Sequence, residues 1–199
     1  RDRDGLARRD GGHDQIGSRG EVGMGRRQRD TMAGGMIAAS IPFFCGIAAA
    51  VIANLPVSFT LGFLPPPLLA LMPLYFWCLV RPDLMPPGAA FTIGLVQDFL
   101  SGAPIGVWTG AFIAAYALLD RRRDAFAGLS GPAAVLGFGL AALVVSVAAY
   151  FLGAIYFWHL PAAEPILLSL VLSILLYVPA AMVLGAVHRR FVGPLRVQP

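Results

Sequence analysis

Charge is scarce in this sequence, and lysine is absent altogether. Only 13% of the 199 residues are charged, 57% are hydrophobic, and the mean hydropathy is +0.72. Soluble domains carry roughly a quarter charged residues, so the shortage excludes an ordinary soluble domain and points to lipid as the solvent. Cysteine is scarcer still: Cys45 and Cys78 each sit inside an apolar run, which excludes a disulfide framework. Both read as small apolar packing residues without a metal or redox role. Also missing are a Gly-rich phosphate loop, paired catalytic carboxylates, a Ser/His/Asp set and a zinc-binding His pair. An enzyme has no residues here on which to stand, and no cofactor is expected.

What charge there is lies in the tails and between apolar runs. Eight arginines and most of the acids fall in the first 30 residues, a polar, glycine-rich stretch that cannot bury enough apolar surface to fold alone. Residues 1–33 therefore read as a disordered polar cytoplasmic tail, residues 34–190 as a transmembrane helical domain, and residues 191–199 as a cytoplasmic C-terminal tail. A membrane span needs about 20 mostly apolar residues. The candidates are 34–54, 62–80, 86–102, 104–119, 132–157 and 165–187, of which 86–119 fits either two short spans or one long span with a re-entrant piece. The first run is longer than the apolar core of a cleaved signal peptide, about 7 to 15 residues, and reads as a retained anchor.

Cytoplasmic connections carry the arginine excess of membrane proteins. With six spans and the N-terminus inside, all 15 basic residues fall on the cytoplasmic side. Beyond the tail these are Arg81, the triplet Arg121, Arg122 and Arg123, then Arg189, Arg190 and Arg196. Five spans would split Arg81 from the triplet. The expected fold is all-α, a polytopic membrane protein of about six helices with both termini inside. Nothing accompanies the arginines that would suit nucleic acid. The triplet, flanked by Asp120 and Asp124, reads as a stop signal beside anionic headgroups. Tyr75, Trp77, Tyr156, Phe157 and Trp158 lie near span ends, where aromatic residues sit at headgroup level. Trp108 and Tyr116 fit that role or packing between helices. His159 and Glu164 are too few for a metal site and read as an exposed connector. The prolines inside the runs (Pro42, Pro65 to Pro67, Pro73, Pro179) are expected to kink helices.

The stretch from Gly94 to Gly110 carries the most information. On one helix Gly94, Asp98 and Gly102 recur every four residues with Ser101 three beyond Asp98, so they share a small, polar face. Gly102, Gly106 and Gly110 continue the small-xxx-small spacing that lets helix backbones approach closely, although Pro104 interrupts the helix. Asp98 is the one ionisable residue well inside an apolar run; an aspartate there costs about 2.5 to 3.5 kcal/mol on insertion. It must line a cavity, find a partner, or cap the turn at Ser101-Gly102. With no second acid, base or ligand in the membrane to work with it, structure or partner contact is favoured over proton or ligand chemistry. Gly94, Asp98, Ser101, Gly102, Gly106 and Gly110 form the candidate partner-contact face.

Arg81-Pro82 followed by Gly94-x-x-x-Asp98-x-x-Ser101-Gly102-x-Pro104-Ile105-Gly106 resembles the rod shape-determining protein MreD family. The likeness extends over residues 34–190, through Pro67-Leu68-Leu69 and Tyr75-Phe76-Trp77, with the aspartate motif its specific part. The resemblance implies a non-enzymatic subunit of the cell-elongation machinery in a bacterial inner membrane. Such a subunit binds MreC and links the MreB filament to peptidoglycan synthesis and its glycosyltransferase/transpeptidase pair. A family of similar fold, the substrate-binding membrane subunits of vitamin transporters, supplies the alternative of a small-molecule carrier.

Overall fold

A computed structural model describes residues 40–55, 65–122, 131–160 and 162–192, without the side chains of 191 and 192. The N-terminal tail, Arg123 and residues 193–199 lie outside the described residues. Within them the chain is all-helical: α1 Ser40–Ala53, α2 Leu71–Val80, α3 Pro87–Ser101, α4 Val107–Arg121, α5 Pro132–Phe157 and α6 Ala163–Val187. A 3-10 turn, Pro82–Leu84, follows α2, and a π turn, His188–Val192, extends α6.

Proline starts these helices far more often than it bends them. Pro87 and Pro132 are the first residues of α3 and α5, and Pro73 and Pro165 are the third residues of α2 and α6. The first turn has no acceptor for its N–H groups, so a residue without one loses nothing there. Pro179 is interior, in α6. The expectation that these prolines kink helices thus fails for most of them.

Two helices, Pro132–Phe157 and Ala163–Arg190, are long and apolar enough to cross a membrane, with mean hydropathies of 2.3 and 2.5. Their surfaces settle which solvent they suit. Leu136, Leu140, Val147, Phe151 and Ile155 of α5, and Leu167, Val171, Leu175 and Met182 of α6, all point outward and exposed. A core helix of a soluble protein would bury such a stripe. These faces suit lipid and point toward a membrane.

The centre of the bundle is α2, a short helix apolar on every side. Leu71, Met72, Leu74, Tyr75 and Trp77 are all 2% exposed or less. It packs on α4, α5 and α6. Tyr75 meets Phe138 of α5 and Tyr177 of α6 edge-on, and those two rings stack at 4.2 Å. Its hydroxyl donates to the Ala134 carbonyl at 3.0 Å. Tyr75 and Trp77 are therefore core residues and not headgroup-level anchors, which corrects the reading from span ends. Tyr156, Phe157 and Trp158 are exposed.

The second apolar run is also not a helix throughout. Residues 65–68 belong to no helix, and α2 begins only at Leu71. Serines of α6 satisfy this stretch: Ser169 Oγ donates to the Pro66 carbonyl at 2.7 Å, and the Leu68 N–H donates to Ser173 Oγ at 2.8 Å. Non-helical backbone at membrane depth persists only where protein meets its polar groups. The remaining pairings run in sequence, α3 on α4, α4 on α5 and α5 on α6, while Gly46 of α1 lies against the Ile93 side chain of α3.

Candidate functional site

Residues 86–119 resolve into two separate helices of 15 residues each, α3 and α4, joined by a turn at Gly102–Gly106. Gly102 ends α3 in the left-handed region at φ 65°, and Gly106 precedes α4 at φ 104°. Both conformations favour residues without a Cβ. They are hinge points of a tight hairpin and do not continue a helical face.

No residue at the start of α4 caps that helix with its own side chain. Asp98, one turn before the end of α3, supplies the missing cap. Its Oδ1 accepts from the Trp108 N–H at 2.7 Å. Its Oδ2 accepts from the Gly106 N–H at 2.9 Å, the Thr109 N–H at 3.1 Å and the Thr109 hydroxyl at 2.6 Å. Val107 N–H goes to the Pro104 carbonyl and Gly110 N–H to the Gly106 carbonyl. Every N–H that a helix start normally leaves to water is thus met within the hairpin. A negative side chain here also faces the positive end of the α4 dipole.

Gly94 makes the approach possible. A Cβ on it would stand 2.6 Å from Thr109 Cα, a backbone atom, and 3.1 Å from the Trp108 carbonyl oxygen. The Gly94-x-x-x-Asp98 spacing therefore puts a bare backbone one turn below the carboxylate, and the first turn of α4 rests in that notch. Asp98 is 1% exposed and Thr109 6%.

The structure brings together Gly94, Asp98 and Gly106 of the six candidate residues and separates the others. Ser101 and Gly102 are exposed at the turn, with Ser101 Oγ only 3.4 Å from the Asp98 carbonyl oxygen and from the Ala103 N–H. The cap that the sequence places at Ser101-Gly102 is made instead on the next helix. Gly110 faces α5, where a Cβ added to it would stand 2.9 Å from Leu152 Cδ1. Chemically, a carboxylate only accepts hydrogen bonds and offers about four acceptor positions. Four donors occupy them, so Asp98 is engaged in holding two helices together.

The described arginines gather at one end. Arg81 follows α2, Arg121 and Arg122 end α4, and Arg189 and Arg190 follow α6. The ends adjoin, because Trp77 meets the His188 ring at 5.6 Å and Cys78, Pro82 and Met85 line a small gap with Tyr116, Leu119 and Asp120. Arg81 is bridged to Asp83 at 2.9 Å; that hydrogen bond holds the Asp83 carboxyl below the usual carboxylate range. The Gly102–Gly106 turn and the connector after α5 lie at the opposite end and contain no arginine.

Sequence reasoning missed Trp108 and Thr109 as donors, Ser169 and Ser173 as backbone partners, and the pair Asn54 and Gln97, whose side chains meet at 3.1 Å between α1 and α3. The serines had a signal: two hydroxyls four residues apart in a 25-residue apolar helix share one face. Among the described residues, no three His, Cys, Asp or Glu side chains stand close enough to hold a metal ion. No family model, curated protein or solved structure matches this chain.

Proposed function

We propose that this chain is a non-enzymatic scaffold subunit of a bacterial cell-elongation complex. In this reading it is a multi-pass inner-membrane protein of six spans with both termini in the cytoplasm. It binds MreC and couples cytoplasmic MreB filaments, directly or through MreC, to peptidoglycan synthesis. The reading rests on the resemblance of Gly94 to Gly106 to the MreD motif. The observation that carries it further is how that motif is used: the intramembrane acid, Asp98, is consumed by four donors of its own chain. A residue so engaged builds a shape for others to dock on and is a poor proton carrier or ligand group.

The topology is supported by the arginines. Alternating helices put the ends of α2, α4 and α6 on one side, the side where the described arginines lie, as an inward-facing end requires. Co-expression with MreC followed by affinity purification in detergent tests the function. MreC retained in fixed proportion is expected; its absence from the eluate, with both proteins expressed, overturns the proposal.

One observation favours the alternative of a vitamin-type binding subunit. Carriers build sites at interrupted helices, and α2 follows the non-helical Pro65–Leu68 stretch. Ser169 and Ser173 already engage that stretch, which is why the scaffold reading ranks first. A rise in melting temperature with one member of a vitamin panel would reverse the ranking.

A further inference from the structure

Positive charge collects where the ends of α2 and α6 meet. Trp77 of α2 is fully buried, and the His188 ring packs against it at 5.6 Å. Arg81 follows one turn later, its N–H donating to the Trp77 carbonyl at 2.8 Å. The charges of Arg81 and Arg189 both act on the His188 imidazole. Arg189 does not reach away from α6 into water. Its side chain folds back beside Gly185, where Nη1 stands 3.5 Å from the position a Cβ would take. The guanidinium therefore lies one turn up the helix, toward the apolar part of α6.

These cations are poorly matched by acids. Asp83 takes Nε and Nη2 of Arg81 at 3.1 and 2.9 Å and leaves Nη1 of that guanidinium unused. Among the described residues no carboxylate pairs with Arg189. His188 Nδ1 is buried without a partner, so Nε2 is the ring nitrogen able to meet a ligand. Like charges gathered in this way repel one another, and an anion among them relieves the repulsion. Guanidinium groups fork onto phosphate oxygens with two parallel hydrogen bonds. The surroundings favour a lipid phosphate over a soluble one. Val178, Met182, Gly185 and Arg189 share one face of α6 at helical spacing, and Val178 and Met182 are 48% and 65% exposed. An apolar stripe thus runs straight into the unpaired guanidinium, as an acyl chain runs into its headgroup.

We propose that the junction of α2 and α6 is a binding site for an anionic phospholipid, with Arg81, His188 and Arg189 on its phosphate and an acyl chain along Met182 and Val178. Basic pockets between membrane helices hold headgroups in this manner. The site rests on the membrane reading and is distinct from the arginines that close α4, which meet headgroups in general.

Native mass spectrometry of the full-length protein in a neutral detergent tests it, counting bound molecules as phosphatidylglycerol, phosphatidylcholine or inorganic phosphate is titrated in. Phosphatidylglycerol is expected to bind roughly tenfold or more tightly than phosphatidylcholine, whose choline would bring a positive charge to the arginines. Arg189→Gln and Arg81→Gln are each expected to weaken its binding roughly tenfold, the loss of one charge-assisted contact. Arg122→Gln, at the exposed end of α4, is expected to change it by less than about twofold. Equal weakening by all three substitutions means that net charge alone draws the lipid, and it overturns the site. Equal binding of the two lipids by the unaltered protein also overturns it. Inorganic phosphate held as tightly as phosphatidylglycerol overturns the lipid assignment. A protein that stays monodisperse once detergent is removed overturns the membrane reading as well, whereas a failed site in a protein that needs detergent leaves that reading standing.

Discussion

Replacing Asp98 by alanine leaves three N–H groups, those of Gly106, Trp108 and Thr109, and the Thr109 hydroxyl without their acceptor. A buried donor left unmet costs about 1 to 3 kcal/mol, and of these residues Thr109 is buried, Trp108 half-buried and Gly106 exposed. The hydroxyl can rotate to another acceptor and the turn can shift, so about 3 kcal/mol is expected. Asparagine is the sharper probe. With its oxygen at the Oδ2 position it keeps three donors satisfied but turns an amide N–H₂ toward the Trp108 N–H, 2.7 Å from the present oxygen. Losing that bond and the charge on the others costs about 2 kcal/mol. Unfolding in detergent, followed by loss of monodisperse protein on heating, should rank native above Asn above Ala. Thr109→Val combined with Asp98→Ala should cost less than the two separate losses added, with a coupling of about 1 kcal/mol. If Asn and Ala both lie within about 0.5 kcal/mol of the parent, the cradle does not hold the hairpin and the reasoning fails.

Gly94→Ala should destabilise by about 2 kcal/mol through overpacking, because the new methyl meets Thr109 backbone. Gly110→Ala meets only the tip of Leu152 and should be neutral or gain up to ~1 kcal/mol of helix propensity; equal effects in a thermal-unfolding comparison would contradict the notch. Ser173→Ala orphans the Leu68 N–H and should cost about 1 to 3 kcal/mol, which the same assay reads and which Ser173→Thr should largely restore. The Arg81–Asp83 pair lowers the Asp83 pKa, so its contribution is present above the ordinary carboxylate range and fades as pH falls through the lowered value. The Asp83 side chain is 59% exposed, and Asp83→Asn should cost under ~1 kcal/mol at neutral pH and nothing in acid; a loss that grows on acidification would have the wrong sign.

Much of the fold was legible where an apolar run coincides with one helix. The run 132–157 is α5 to the residue, since Pro132 marks its start and nothing interrupts it. The run 62–80 misled because hydropathy is blind to backbone conformation: Pro65 to Leu68 are as greasy as a helix and are not part of one. Tyr75 and Trp77 misled for a related reason, because an aromatic residue near a span end signals depth without saying whether it faces lipid or protein. Asp98 was legible as the residue that matters and illegible in its role. Its donors lie 8 to 11 residues downstream on another helix, and no spacing rule for local caps reaches that far. The missing signal was at Gly106, a helix start without a capping side chain.

The non-helical stretch before α2 has a bearing on how the chain is made. A ten-residue helix is too short to partition into a bilayer as an independent span, and the groups that satisfy its leading backbone, Ser169 and Ser173, lie 103 and 105 residues further along the chain. Until α6 arrives, Pro66 and Leu68 lack these partners in the hydrocarbon. The helix α2 is thus completed by α6, and a truncation ahead of Ala163 would strand it at the point of insertion.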